Sequence, residues 1–365
     1  MPYTGTLSVI GQDTTRGFEL ALAQSASKVG MREIRLIKED DEAKPSTGLA
    51  KTRKLVESDR VDVLVGPVSS AVALAMEPYV RQQEIPLIIP VAVTRELTAA
   101  GRANPFTFRL IETTDQANFP MGQWVYRHTP YRKVIVMATD FVAGHHSVEA
   151  FMAGFKAAGG EIVKEIYAPL GTGDYGPFLA LATGVQADAV YAWFAGADSI
   201  RFVRQYHDAG LAARLPLLGY NTLVDDIVLP AIGEAAIGIV SVGHYSATLD
   251  RPENRAFVAE YERRYSGAWP TRYSELGYAS AQLFLAAIDS LKGEVGNRAS
   301  FREALRHAIS KIHPPRGPVQ FDSYQQVVTS IYIMKVERRE GQLVNAIVDQ
   351  IPNVSQEATW KWWQK

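Results

Sequence analysis

Two adjacent serines, Ser69 and Ser70, are the first residues in this chain whose type and placement point to chemistry. They follow the apolar run 61–65 and open the segment 70–81, where Ala71, Leu74, Ala75 and Met76 can share a helical face. The backbone N–H groups at a helix start lack intrahelical partners, so such a junction can hold an anion. Taken alone, the serines are better read as a helix N-cap. A second small-residue loop, Ala92, Val93 and Thr94, ends the next apolar run, 86–91, and shifts the balance towards a binding site. Strand, helix and strand here form a βαβ crossover, and open α/β sheets take ligands at the carboxyl ends of their strands. Arg109, at the end of a further apolar run, could neutralise a carboxylate, although a structural ion pair accounts for it more simply.

The other reactive residue types make no catalytic pattern. The chain has no cysteine, which excludes disulfides, thiolate zinc sites and cysteine nucleophiles. No GxSxG elbow, P-loop, HExxH or GxGxxG occurs in the strand–turn–helix setting each requires. His145 and His146 are neighbours, and neighbours on a helix do not face one another, so they read as solvent-facing imidazoles rather than metal ligands. The acidic run 39–42 reads as a solvated turn. A binding protein without metal or cofactor is therefore favoured over an enzyme.

Positioning these loops takes a large α/β framework. The 365 residues favour two domains. A formal net charge of −1 gives no basic face for nucleic acid, and no apolar run is long enough to cross a membrane. In the first half the spacing predicts helices over 14–29 and 45–58 and strands over 34–38, 61–65, 86–91 and 106–110. From residue 113 a second alternation of helices and parallel strands runs to 242. Helices over 252–265, 273–291 and 300–308 follow, and then β-rich stretches over 319–321, 329–337 and 342–350. The opening residues, MPYTGT, have loop chemistry and no signal-peptide pattern, so the strand that normally opens an α/β lobe is expected to be missing.

Several stretches in this order carry a family likeness: 4–13 (TGTLSVIGQD), 39–41 (EDD), 65–70 (VGPVSS), 90–98 (PVAVTRELT), 140–144 with 155–160, 208–211 (DAGL) and 317–322. With them the chain resembles the type I periplasmic substrate-binding proteins of ABC importers, in the Leu/Ile/Val group. The resemblance implies an α/β fold of two doubly wound parallel-sheet lobes joined by a three-crossing hinge, here without the first strand of lobe 1. Lobe 1 would hold residues 1–115 and 246–322, and lobe 2 residues 116–245 and 323–365. A narrower likeness, in 168–179 (APLGTGDYGPFL), 243–247 with 251–258 (GHYSA and RPENRAFV) and 351–356 (IPNVSQ), is to the subgroup that takes up aromatic carboxylates.

The resemblance also implies site positions. Amino-acid-binding relatives hold the ligand carboxylate with a Ser at the position of Ser70 and a Thr at that of Val93. An acidic residue at the position of Asn221 holds the ammonium. Val93 and Asn221 depart from this pattern, and a buried ammonium without an anion costs several kcal/mol. A zwitterionic amino acid is thus disfavoured. Ala143 and Ala195 stand where relatives often carry Tyr, which widens the pocket. Ile10 would face the ligand from the first loop. Ser69, Ser70 and the N–H groups of Ala92, Val93 and Thr94 would take a carboxylate, Phe141, Phe194 and Tyr273 would form walls, and Asn221 would give a neutral hydrogen bond. Trp193 reads as strand core. The expected function is an importer's periplasmic receptor for a small organic anion, partnered by a membrane permease, with no cofactor, no nucleic acid and no membrane insertion. A receptor for branched-chain or other amino acids and a cytoplasmic ligand sensor or regulator on the same fold are the alternatives.

Overall fold

The computed structural model describes residues 1–5, 7–25, 28–29, 32–339 and 341–360. The chain divides into two compact units, one formed by Met1–Glu112 with Leu249–Thr329, the other by Thr113–Thr248 with Ser330–Lys365. The helices between residues 249 and 329 therefore belong with the first unit.

The first unit is built on a parallel sheet of Leu64–Val65, Leu87–Ile89 and Thr107–Arg109, in that order. Gln326 adds a parallel bridge beside Arg109. Strand residues alternate faces. Leu64, Leu87 and Ile89 pack with Val72, Met76 and Val80 of the helix Ser70–Gln83. Ile88 and Phe108 point the other way, onto Phe18, Leu283 and Phe284. Phe18 lies on the helix Ser8–Gln24, which crosses the helix Arg272–Ser290 closely. A Cβ at Gly17 would come within 1.8 Å of the Ser274 carbonyl oxygen, and one at Gly277 within 1.9 Å of that of Thr14. Glycine is what lets these backbones meet.

Two expectations change here. The first helix begins at Ser8 and ends at Gln24 rather than spanning 14–29; Ala26 and Gly30 lie outside the described residues. The Thr14 and Thr15 hydroxyls donate to the carbonyls of Ile10 and Gly11, which carries the helix back through residues read as loop. Residues 34–38 join no strand ladder, because a strand exists only through its neighbour. A cavity of about 340 Å³ lies beside them, bordered by residues 33–39 on one side and 59–67 on the other.

In the second unit the strands Val240–Gly243, Leu217–Tyr220, Ala189–Trp193, Lys133–Thr139 and Glu161–Ala168 form a parallel run. The long strand Val327–Arg339 joins it antiparallel against Val240–Gly243 and also pairs with Gln342–Val354. Val190 and Ala192 face one core, with Phe202 and Tyr206. Ala189, Tyr191 and Trp193 face the other, where the Tyr191 ring stacks on Phe151 at 3.7 Å.

Candidate functional site

In the first unit the serine and alanine loops end neighbouring parallel strands, Leu64–Val65 and Leu87–Ile89. Ser69 is the N-cap of the helix Ser70–Gln83, its hydroxyl accepting from Val72 N at 3.5 Å. Ser70 is the first helical residue and is half-buried. Among the described residues, no protein group bonds its hydroxyl or takes the N–H groups of Ala92, Val93 and Thr94. The loop is fixed through its carbonyls instead. The Arg109 guanidinium, fully buried, donates to the carbonyls of Ala92 (3.4 Å) and Thr94, to the Thr98 hydroxyl and to the Gln326 side-chain oxygen. Arg109 thus clamps this loop to the Gln326 side chain. The Thr94 hydroxyl donates to Glu96.

Tyr273 is the second residue of the helix Arg272–Ser290 and is buried. Its N–H donates to the Thr271 hydroxyl oxygen, and the Arg272 guanidinium lies 5.5 Å from its ring centre. This helix start is held by Asp13, which no sequence signal had singled out. The buried Asp13 carboxylate accepts from the Tyr261 hydroxyl at 2.5 Å, from Ser274 N at 3.1 Å and from the Thr271 hydroxyl. Burial pushes its carboxyl pKa up, and the Thr271 and Tyr261 bonds oppose the rise. Below it, Arg272 pairs with Glu112 at 3.2 Å and Arg316 with Glu275 at 2.7 Å, all buried. Burial lifts the Glu275 carboxyl, while the Arg316 guanidinium works to lower it. Ile10 is half-buried in the first turn of the helix Ser8–Gln24, not in a loop as expected.

The acidic run is a clasp, not a solvated turn. Glu39 pairs with Lys51 and Lys54 at 2.8 and 2.7 Å, and the buried Asp41 pairs with the Met1 ammonium at 3.2 Å. Asp40 accepts from the Thr4 hydroxyl and from the N–H groups of Tyr3 and Glu42. Desolvation would raise its pKa, but these bonds outweigh it and hold the carboxyl at about 2.

In the second unit the candidates also gather at strand carboxyl ends. Phe141 follows the strand Lys133–Thr139 and caps the helix Val142–Ala157, with its side chain 39% exposed. Its ring lies 5.3 Å from that of Trp193, the last residue of the adjacent strand. Trp193 is 6% exposed, and its indole N–H is buried without an acceptor. A buried donor in that condition is costly. This makes Trp193, read from the sequence as core alone, a candidate site residue. Ala143 is half-buried in the first turn of the same helix as Phe141. Phe194 is a correction: its ring stacks on Phe202 at 4.1 Å and meets Tyr175 edge-on, so it backs the site from the core rather than forming a wall. Asn221, 2% exposed, opens the turn Asn221–Leu223 after the strand Leu217–Tyr220. His145 lies in the first turn of this helix, with its side chain 36% exposed, bonds Asp140 at 2.7 Å and stacks on Tyr167 at 4.2 Å. Among the described residues, no three His, Asp or Glu side chains group to hold a metal ion.

The parallel sheets with loops gathered at their carboxyl ends match known proteins across the chain, and residues 1–342 fit the periplasmic binding protein family throughout. The chain belongs to that family. A curated relative, the Leu/Ile/Val-binding protein homolog 6 of Brucella melitensis biotype 1, is 28% identical over 93% of this chain and 86% of its own. Among solved structures, an ABC transporter substrate-binding protein from Sphaerobacter thermophilus is 36% identical, with a TM-score of 0.93 over 97% of this chain and 96% of that one. The solute-binding protein of an R. palustris ABC transporter, solved in complex with benzoate, is 31% identical, with a TM-score of 0.86 over 96% and 95%. This periplasmic binding protein is thus a solute receptor of the ABC-transporter type. Among its described residues, no helix is long and apolar enough to cross a membrane.

Proposed function

We propose that the chain delivers a small aromatic carboxylate to an ABC importer permease from the periplasm. The observation that carries this reading is the Trp193 indole N–H, buried without an acceptor beside the half-exposed Phe141 ring. An aromatic ring bearing an oxygen acceptor satisfies both features. In the first unit, the Ser70 hydroxyl and the N–H groups of Ala92, Val93 and Thr94 take the carboxylate, with Ser69 capping the helix and Ile10 and Tyr273 adding apolar surface. In the second, Phe141 and Trp193 take the ring, Ala143 leaves room for it, and Asn221 gives a neutral hydrogen bond. The benzoate carried by the R. palustris relative supports the ligand class. The Brucella relative's name keeps branched-chain amino acids as the second reading.

Isothermal titration with benzoate, 4-hydroxybenzoate and L-leucine tests the choice. Saturable binding of the aromatic acids with no heat from leucine is the expected result. Tighter binding of leucine would reverse it.

A further inference from the structure

The turn Asn221–Leu223, after the strand Leu217–Tyr220 of the second unit, is tied down by its own backbone and by its neighbours. Val224 N donates to Asn221 O at 3.0 Å, and the Thr222 hydroxyl donates to Phe194 O at 3.0 Å. Beyond the turn, the Asn345 side-chain amide donates to Val224 O at 2.9 Å and to the Asp226 carboxylate at 3.0 Å. The Asn221 side chain is treated differently. The residue is 2% exposed, yet among the described residues no protein group bonds its amide. The little surface it keeps includes that amide. A near-buried amide left without partners is costly unless a ligand supplies them.

Beside that side chain stands Gly243, the last residue of the neighbouring parallel strand Val240–Gly243 and the first of the stretch GHYSA. A Cβ at Gly243 would lie 3.0 Å from Asn221 Cβ, 3.5 Å from Asn221 Cγ and 3.3 Å from Met334 Cε. Its φ is not positive, so the backbone does not ask for glycine and only the space does. Met334 Cε ends a flexible side chain and can swing aside. Asn221 Cβ cannot, because rotation about χ1 moves Cγ and leaves Cβ where it is. Relief would have to shift the turn itself, against the Val224 and Thr222 bonds. A packed interior passes such a shift on, and the amide moves with it.

We propose that Gly243 is the positioning residue for Asn221. Its bare Cα lets the asparagine side chain lie against the strand, which holds the unspent amide in one orientation for a ligand. Hydrogen bonds weaken steeply with misalignment, so a displaced turn would cost the ligand this bond while the fold survives. The inference rests on the proposed function only in placing a ligand at the carboxyl ends of these strands; the ligand's identity does not enter.

A double-mutant cycle read by isothermal titration tests this. Benzoate, 4-hydroxybenzoate and L-leucine are titrated into the native protein, and the cycle uses whichever binds. Gly243→Ala should weaken binding about three- to tenfold, the worth of one neutral hydrogen bond, and Asn221→Ala by a similar factor. The double variant should bind no more weakly than Asn221→Ala alone. A merely structural glycine would instead weaken binding alike in both backgrounds, and that result overturns the proposal. So does native affinity in Gly243→Ala. Leucine binding without the aromatic acids would sink the ligand class and leave Gly243 to be judged by the cycle; a native protein that binds none of the three overturns both. A second measurement leaves Gly243 unchanged. With 15N-labelled asparagine, the Asn221 side-chain amide, assigned by its loss in Asn221→Ala, should give one sharp proton pair that moves when ligand is added. A pair that stays in place at saturation overturns the proposal even if Gly243→Ala fails to fold.

Discussion

Replacing Arg109 with methionine keeps most of the side-chain volume and removes every donor. In the native protein the guanidinium serves the carbonyls of Ala92 and Thr94, the Thr98 hydroxyl and the Gln326 amide oxygen, all inside the first unit. Hydrogen bonds from a charged donor are worth about 1.5–3 kcal/mol each. The Ala92 contact, at 3.4 Å, is the weak one. Three strong bonds would sum to more than is lost, because methionine also relieves the cost of burying the guanidinium charge. A net loss of about 3–5 kcal/mol remains, mostly the penalty for stranding buried acceptors. At roughly 2–4 °C per kcal/mol, the midpoint of unfolding should fall by about 6–20 °C. Arg109→Lys should recover only part of this, since one ammonium cannot span acceptors arranged round a planar fork. Urea unfolding followed by intrinsic fluorescence measures the stability, and titration of the folded variant with benzoate measures the site. A loss under about 1 kcal/mol would refute the clamp. A large stability loss with unchanged affinity would refute the idea that the clamp positions the loop for a ligand.

Removing the Ser70 hydroxyl (Ser70→Ala) should weaken aromatic-acid binding roughly tenfold, the worth of one hydrogen bond to a charged group, with stability unchanged; calorimetry reads this directly. Trp193→Phe keeps the ring contact with Phe141 but deletes the unsatisfied donor, so stability should stay within about 1 kcal/mol while affinity falls about tenfold. Equal affinity would assign Trp193 to the core alone. Asn221→Asp places a buried negative charge where the proposed ligand has none to balance, so titration should show aromatic-acid binding reduced at least tenfold and L-leucine binding gained. For Asp40, the folded carboxyl sits at about 2 against an ordinary value of 3.8. Its contribution to stability is therefore complete above about pH 4 and lost as pH falls through about 2. The gap in thermal midpoint between the native protein and Asp40→Ala should close over that window, and a gap independent of pH would contradict the role given to the Thr4, Tyr3 and Glu42 bonds.

The βαβ unit around Ser69 and Ser70 was legible because apolar strands bounded by Gly and Pro leave a local signature. The register of the antiparallel strand Val327–Arg339 and its place beside Val240–Gly243 were not, since pairing depends on residues nearly a hundred positions away. The stretch 34–38 shows the limit most plainly. Its pattern is that of a strand, and it carries no ladder, because hydrogen-bonded pairing is a property of two segments and the pattern of one does not report the other.

The site divides along the same line. Ser69, Ser70 and the 92–94 loop could be found because the strand–loop–helix order itself puts them at a sheet's carboxyl edge. Asp13 could not, because its role comes from Tyr261, Thr271 and Ser274, some 250 residues further on. Phe194 and Trp193 are the sharper case. They are consecutive aromatic residues at a strand end, and period two sends one to each face of the sheet. From the sequence, Phe194 was placed at the wall and Trp193 in the core. The packing buries both: Phe194 rests on Phe202 and Tyr175, while Trp193 lies in the core of the opposite face, beside Phe141, with its indole N–H left without an acceptor. Alternation says that the two must part; only the packed neighbours say which face each one takes.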